Sequence, residues 1–513
     1  MYKTKVNLKR IISVILLLSL TVFALISSSC QTAGNSNSPT SAQSADQNQQ
    51  QSQSEEQTTM PEFTPVSGTD YGGYDFRILG YDGQAAGTWQ IAAISEIMAE
   101  QETGEPINDA IYKRNQQVES LYNITFDIVP VTYPNRGDFA TKFTKAVLAG
   151  DDTFDAAFML GYSLPAALSK NNMAYDLKTI PALDLTKSWW DQNSVKSLSI
   201  GGKLNAVVGD VNLYSASAPI VIYANKQIMQ DYSVGDLYQM VRDGKWTWDV
   251  LYDIAKQTTK DLDGDGKITK DDQVGLFTQT AYLQNAVNSA GELITTKNNE
   301  DIPVLSQDLD KTAAIVSKVV PILKDSNTSI VGDTITGYNN AYFDFVMPKF
   351  RDGGIMFLMQ QLMMSFELRS MDADFAILPF PKYDETQTNY GAVTSTYWDT
   401  YTVIPATCTD TERTGNILQA MGYYSQQYVT PAYFDVTVTN KIARDTDSLD
   451  MLDIIMSNRQ YDLSYLYDWG GINEMFVNIM SSGNADTFMS QLEKNQPVID
   501  AAIQKTLYEL QQN

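Results

Sequence analysis

The stretch that decides the fold is PINDAIYKRNQQVESLYNITFDIVPV, Pro106 to Val131. Its first part, to Asn123, sets Ile107, Ala110, Ile111, Val118 and Leu121 at helical spacing, which predicts an amphipathic helix with one apolar face. ITFDIVPV then reads as a strand, as does FRILGY upstream, Phe76 to Tyr81. Strand, helix, strand is the grammar of a βαβ unit, so the expected fold class is α/β with a parallel-rich sheet flanked by helices. The same short apolar runs recur in FDAAFML (Phe154 to Leu160), LNAVVGDV (Leu204 to Val211), IVIYAN (Ile220 to Asn225), GIMFLM (Gly354 to Met359) and DFAILPF (Asp374 to Phe380). No internal repeat of fixed period is visible. From Thr411 onward the pattern is mostly helical, with Ile417, Leu418, Met421 and Tyr424 forming one stripe. Core packing accounts for nearly all of these stripes.

At 513 residues the chain is long enough for two cores, because single cores stop growing near about 250 to 300 residues. Lys+Arg 36 against Asp+Glu 61 gives a formal charge of −25, which argues against nucleic acid or an anionic membrane surface as the main partner. The chain has no histidine. Every Ser-His-Asp triad, Cys-His dyad and His-ligated zinc site is therefore excluded, leaving carboxylates, Lys, Tyr and Ser for any chemistry.

The N-terminus carries an address. Lys3, Lys5, Lys9 and Arg10 precede the apolar run IISVILLLSLTVFALI, which ends in Ser27-Ser28-Ser29-Cys30. Small residues before a cysteine resemble a bacterial lipoprotein processing site, which implies removal of 1–29 and lipidation of Cys30. Ser27 stands where that family usually has Leu, and an uncleaved membrane anchor is the alternative. The segment 30–73 is rich in Ser, Gln, Asn and Thr and reads as a flexible tether. The body is therefore expected outside the cytoplasmic membrane, touching it only through the anchor. Cys408 is the one other cysteine, so no disulfide framework is expected.

The order of several segments carries a family resemblance. They are GEPINDAIYKRN (Gly104 to Asn115), AGDDTFDAAFML (Ala149 to Leu160), WWDQNSVKSLSIGGKLNAVVGDVNLY (Trp189 to Tyr214), IVIYANKQIM (Ile220 to Met229), KWTWDVLYDIAKQTT (Lys245 to Thr259), DFAILPFPKYDETQTNYG (Asp374 to Gly391) and YTVIPATCTDTER (Tyr401 to Arg413). Spanning nearly the whole chain after residue 70, they resemble the extracellular solute-binding proteins of ABC importers, in the carbohydrate-binding branch. The resemblance implies a two-lobed, type II periplasmic-binding-protein fold of the Venus-flytrap kind, with ligand held between lobes joined by crossing strands. It implies a first lobe of 74–210 plus about 335–392 and a second of about 215–330 plus about 400–513. Crossings are expected near Gly209 to Pro219, near Tyr397 to Ile404, and near 330. The implied partners are a sugar and an ABC permease, and the protein is expected to act as a monomer. Closure of the lobes turns ligand binding into a shape a permease can read.

DLDGDGKITKDD, Asp261 to Asp272, matches an EF-hand loop: Asp261, Asp263 and Asp265 at positions 1, 3 and 5, Gly266 at 6, the main chain of Lys267 at 7, Thr269 at 9, and Asp272 at 12 in place of the usual Glu. An incoming helix capped by Thr247 precedes it, and QVGLF after it reads as a strand. A single loop without a second EF helix is expected to hold Ca²⁺ as a structural staple rather than as a sensor.

Aromatic residues make up 11% of the chain, and sugar rings stack on Trp and Tyr while their hydroxyls bond to Asp, Asn and Gln. The resemblance places Asp82, Trp89, Tyr162, Asp210, Tyr282, Gln360, Tyr397 and Trp398 at the mouth of the cleft as candidate ligand contacts; packing or plain surface is the competing reading for each. Trp246 and Trp248 are expected in the core, and Trp189 and Trp190 are left undecided. Binding without chemistry is the expected role. The rivals are a secreted carbohydrate-active enzyme working through a carboxylate pair, and a binding protein for a peptide or other solute.

Overall fold

The computed structural model describes residues 63–64, 69–83, 93–132, 137–168, 170, 172–307, 309–368, 371, 374–439 and 446–511. All of them fall in one compact unit, Pro61–Asn513. The leader, Cys30 and most of the expected tether lie outside the described residues, as does Trp89.

The opening βαβ unit forms as expected. Strand β1 (Tyr74–Tyr81) runs parallel to β2 (Ile124–Val131) in register from Tyr74 opposite Ile124 to Tyr81 opposite Val131. Between them helix α1 (Pro106–Tyr122) buries Ile107, Ala110, Ile111 and Val118. The Glu105 side chain accepts from the Asn108 amide at its start, and Asn123, in the left-handed conformation at φ 50, ends it. On the other side of β1 lies β3 (Ala156–Leu160), parallel, and beyond it β12 (Thr400–Val403), antiparallel, so the first sheet has the order β12-β3-β1-β2. Helix α2 (Asp138–Ala149) follows β2.

The second sheet has the order β10-β4-β9-β5-β8. β4 (Ile220–Asn225) is antiparallel to both β10 (Phe375–Leu378) and β9 (Ile355–Gln361), while β5 (Val274–Thr278) is parallel to β9 and to β8 (Ser329–Val331). Helix α3 (Trp248–Thr258), capped by Thr247, lies against β5, and helix α4 (Tyr282–Ser289) follows it. Two small ribbons complete the strands: β6 (Thr295–Lys297) with β7 (Pro303–Leu305), and β11 (Ala392–Val393) with β13 (Arg459–Gln460). Each sheet with its helices is one lobe.

This arrangement corrects the expected partition. Residues 335–392 do not return to the first lobe, because β9 and β10 pair with β4 in the second sheet. Conversely, β12 belongs to the first sheet, and helix α5 (Thr411–Tyr424) packs on α1. The physical reason lies in burial: β4, β10 and nearly all of β9 are buried on both faces, so their sequences carry no sign of which neighbour they face. The chain passes between the sheets at 209–219 and again at 394–399, just before β12, with the Ser395 amide donating to the Ala218 carbonyl at 3.0 Å where the two run side by side. No crossing occurs near 330, because β8 is the edge of the second sheet. LNAVVGDV makes only isolated bridges, at Val207 with Thr402 and at Gly209 with Trp190. Both sheets are mixed rather than parallel throughout.

Trp246 and Trp248 are fully buried, as expected, and so are Trp189 and Trp190. The Trp190 indole N–H donates to Gln419 Oε1 at 2.9 Å and ties to α5 the segment that bridges Gly209 at the start of the first crossing. Cys408 is buried and unpaired to any other cysteine, its sulfur 3.2 Å from the Thr414 hydroxyl. Among the described residues no helix is long and apolar enough to cross a membrane.

Candidate ligand cleft and metal loop

The loops that leave β3 and β9 both abut the crossing segments. After β3, the Gly161 amide donates to the Asp399 carbonyl (2.9 Å) and the Tyr162 amide to the Thr396 carbonyl (2.8 Å); after β9, Leu362 and Met363 donate to Pro219 and Ser217. Strand ends of two α/β units thus meet at one place, the usual position of a ligand cleft.

Two pairs of the expected contacts come together there. The rings of Tyr162 and Tyr397 stack at a centroid distance of 5.3 Å and 18° between planes, and both are about half exposed, at 53% and 51%. Their order comes from the backbone bonds just named, which hold the two loops edge to edge. On the second lobe the buried Tyr282 hydroxyl donates to Gln360 Oε1 at 3.0 Å. Burial raises the Tyr282 phenol well above its ordinary range, so it stays a neutral donor and acceptor.

The remaining candidates sit elsewhere. Asp82, past the end of β1, accepts from the Thr132 hydroxyl at 2.7 Å and lines a cavity of the first lobe with Ser95, Met98 and Glu105. Trp398 is 4% exposed. Asp210 is not open to a cleft: its oxygens accept from Gln426 Nε2 (3.0 Å) and the Thr430 hydroxyl (2.8 Å), and burial pushes its carboxyl up to about 6.

Sequence reasoning missed Tyr465, which lies between the second lobe and the second crossing. Its hydroxyl lies beside Asn285 of α4 and Thr396 of the second crossing, and burial pushes it up to about 12. Its signal was present in DLSYLYDWGG, Asp462 to Gly471, an aromatic-rich run closed by two glycines. Tyr342 was also missed; it lies beside Gln360 and sets its ring at 82° to Phe277. The cleft groups are thus phenol rings, amides and hydroxyls, which stack and hydrogen-bond.

The crossings themselves hold buried acids. Glu96 accepts from the Tyr214 amide (3.1 Å) on the first crossing and from the Thr400 hydroxyl (3.0 Å) at the end of the second. Complete burial is the main cause that lifts it to about 8; Asp399 adds to the rise, and Arg114 and the two hydrogen bonds oppose it. The unfolded carboxyl ionises near its ordinary 4.5, so stability should be highest below that value and fall as pH rises through about 8. Between about pH 6 and 7.5, between the two values, the slope should be about 1 kcal/mol per pH unit. Glu96→Gln, which keeps shape and neutrality, should flatten that slope in urea-midpoint measurements across this range.

In the Asp261 loop the carboxylates of Asp261, Asp263 and Asp265 converge, one oxygen from each lying within 4.8 Å of the others. Gly264 and Gly266, at φ 78 and 81, turn the chain so that their amides donate to Asp261, and these bonds hold its carboxyl below the usual range. Asp272 lies outside that group. It is buried, and its oxygens accept from the Leu262 and Thr269 amides, both at 2.8 Å, and from the Thr269 hydroxyl. The Lys267 amide donates to Asp265, leaving its carbonyl for another partner. The pairing of Lys260 with Gln273 closes the loop at its base.

No family model and no curated relative matches the sequence. Solved structures do. A cyclo/maltodextrin-binding protein complexed with maltotetraose superposes with a TM-score of 0.52 at 13% identity, covering 85% of this chain and 97% of that one. The two-lobed fold is the one such binding proteins share. The cyclic alpha-maltosyl-1,6-maltose binding protein of Arthrobacter globiformis gives 0.50 at 14% identity (85% and 99% covered). UgpB of Mycobacterium tuberculosis, in complex with glycerophosphocholine, gives 0.53 at 16% (84% and 99%). The first two are named for what they bind, and the two-lobed fold accounts for both sheets of this chain.

Proposed function

We propose that this protein captures a carbohydrate, an oligosaccharide rather than a single ring, between its lobes and delivers it to an ABC permease. The observation that carries the reading is the half-exposed Tyr162–Tyr397 stack, an aromatic platform at the lobe junction with Tyr465 beside Tyr397 and the Tyr282–Gln360 pair on the second lobe. Such a surface suits the alternating C–H faces and hydroxyls of a glycan. Neighbouring structures hold maltotetraose in one case and glycerophosphocholine in another, so the solute class is what must be tested. The reading includes lipidation at Cys30, which places a monomeric binding domain on the outer face of the cell membrane.

Ca²⁺ in the Asp261 loop completes the proposal. Three carboxylates drawn together repel one another unless a cation sits among them, and extracellular sites fill at Kd values of about 0.1 to 1 mM. Asp261, Asp263, Asp265, the Lys267 carbonyl and Thr269 would hold it, with Asp272 fixing the loop base.

A thermal-shift series on residues 61–513 tests both parts. Maltodextrins at 100 times their Kd should stabilise the protein by about 2.7 kcal/mol without being hydrolysed. A shift with glycerophosphocholine and none with any glycan would sink the carbohydrate reading, and hydrolysis would sink the binding reading. EDTA should lower Tm while sugar binding persists after correction for stability; an unchanged Tm would rule out the ion as a staple.

A further inference from the structure

The lobes are joined through a largely buried charge cluster that no ligand contact explains. Arg459, on β13, pairs with Asp191 Oδ2 of the first lobe at 2.6 Å and reaches the Ser215 carbonyl of the first crossing at 3.5 Å. Its other charged neighbours are Asp399 on the second crossing and Asp210 on the first. One guanidinium is thereby set against three carboxylates drawn from each segment of the junction. Its Nε is buried without a hydrogen-bond partner, a donor left over in the middle of the cluster.

Each acid is wired to a different part of the molecule. Asp191 also accepts from Tyr461 (3.0 Å); Asp210 is held by Gln426 and Thr430 of the first lobe. Asp399 accepts from the Thr394 hydroxyl (2.6 Å) and Tyr401 (3.0 Å), and its carbonyl receives Gly161, one residue before Tyr162. The other charged groups facing the junction are Glu96 and Arg114, with the phenols of Tyr214 and Tyr465 beside them. With all three acids ionised around Arg459 the cluster carries two uncompensated negative charges at a site where Asp399 is fully buried and Asp210 and Arg459 are only partly open to water; with Asp210 and Asp399 protonated it carries none.

We propose that this cluster makes the interlobe hinge proton-sensitive: acidification favours the lobe arrangement described here, and alkalinisation favours arrangements that give Asp210 and Asp399 water. The direction follows from linkage, because protons bind best to the conformation in which the acids are most buried. Burial lifts both carboxyls from the ordinary 3.8 to about 6, so the bias is full below about pH 4 and is lost as pH rises through about 6. The chain has no histidine, so an effect in that window cannot be assigned to an imidazole. Capture of a neutral ligand would then depend on pH although no group touching it titrates there.

The test reads lobe separation without ligand, so it stands or fails independently of the proposed carbohydrate. Spin labels at Lys145→Cys on α2 and Asp253→Cys on α3, in residues 61–513, report the interlobe distance distribution; Cys408, the remaining thiol, is buried. The distance population seen at pH 5 should shrink at pH 8 in otherwise unaltered protein. Asp210→Asn with Asp399→Asn should hold the pH 5 distribution at both values, and each single change should remove part of the response. A distribution that does not move between pH 5 and 8 overturns the proposal by itself, whether or not the double variant folds. A shift that persists in full in the folded variants overturns it as well.

Discussion

Gly275→Ala should destabilise the protein by about 3 kcal/mol or more, the upper range of overpacking effects, and lower its Tm by several degrees. Gly275 lies in β5, and a Cβ there would stand 2.1 Å from the Ala255 carbonyl oxygen, 2.5 Å from its carbon and 2.6 Å from its Cα. All three are backbone atoms of α3, so no flexible side-chain end can move aside. Relief requires shifting either the helix, anchored by the fully buried Trp248 and Leu251, or the strand, paired on both sides with β8 and β9. Gly137→Ala is the control: Gly137 has φ −64 and nothing within 4 Å of a new Cβ, so its change should stay within about 0.5 kcal/mol. Equal urea midpoints for the two variants would show that α3 and β5 are not in this contact.

Tyr162→Ala with Tyr397→Ala should weaken glycan binding by about tenfold to hundredfold, or about 1.4 to 2.8 kcal/mol, while leaving the melting temperature of the free protein nearly unchanged. The asymmetry follows from exposure. Each ring is about half open to water, so truncation removes little buried area from the fold but the whole stacking face from the cleft. Calorimetric titration with the sugar chosen by the thermal-shift series measures it. Undiminished affinity in the double variant would remove the platform from the site and leave Tyr465, Tyr342 and Tyr282 as the aromatic candidates.

The contrast between these two tyrosines and the other expected contacts shows what local reading can reach. Tyr162 and Tyr397 each follow or precede a strand that could be recognised, and their meeting needed only the pairing of β3 with β12. Asp210 stood equally well in the sequence, next to a crossing, yet its carboxyl turned inward to Gln426 and Thr430, more than two hundred residues away. Tyr465 escaped notice because nothing near it in sequence marks the lobe junction; only its distant partners, Asn285 and Thr396, place it there.

The sequence by itself determined the classes of element and of chemistry. The change of apolar period at Asn123 separates α1 from β2, the absence of histidine removes imidazole catalysis, and the DLDGDG spacing brings Asp261, Asp263 and Asp265 together, because each of these is a property of adjacent residues. Only the tertiary structure decided which lobe owns β9, β10 and β12, and which acids gather on Arg459. Strands buried on both faces are apolar throughout and can satisfy either neighbour, and a buried ion pair joins residues as remote as Asp191 and Arg459. Such choices depend on packing between distant segments, which short-range periodicity does not encode.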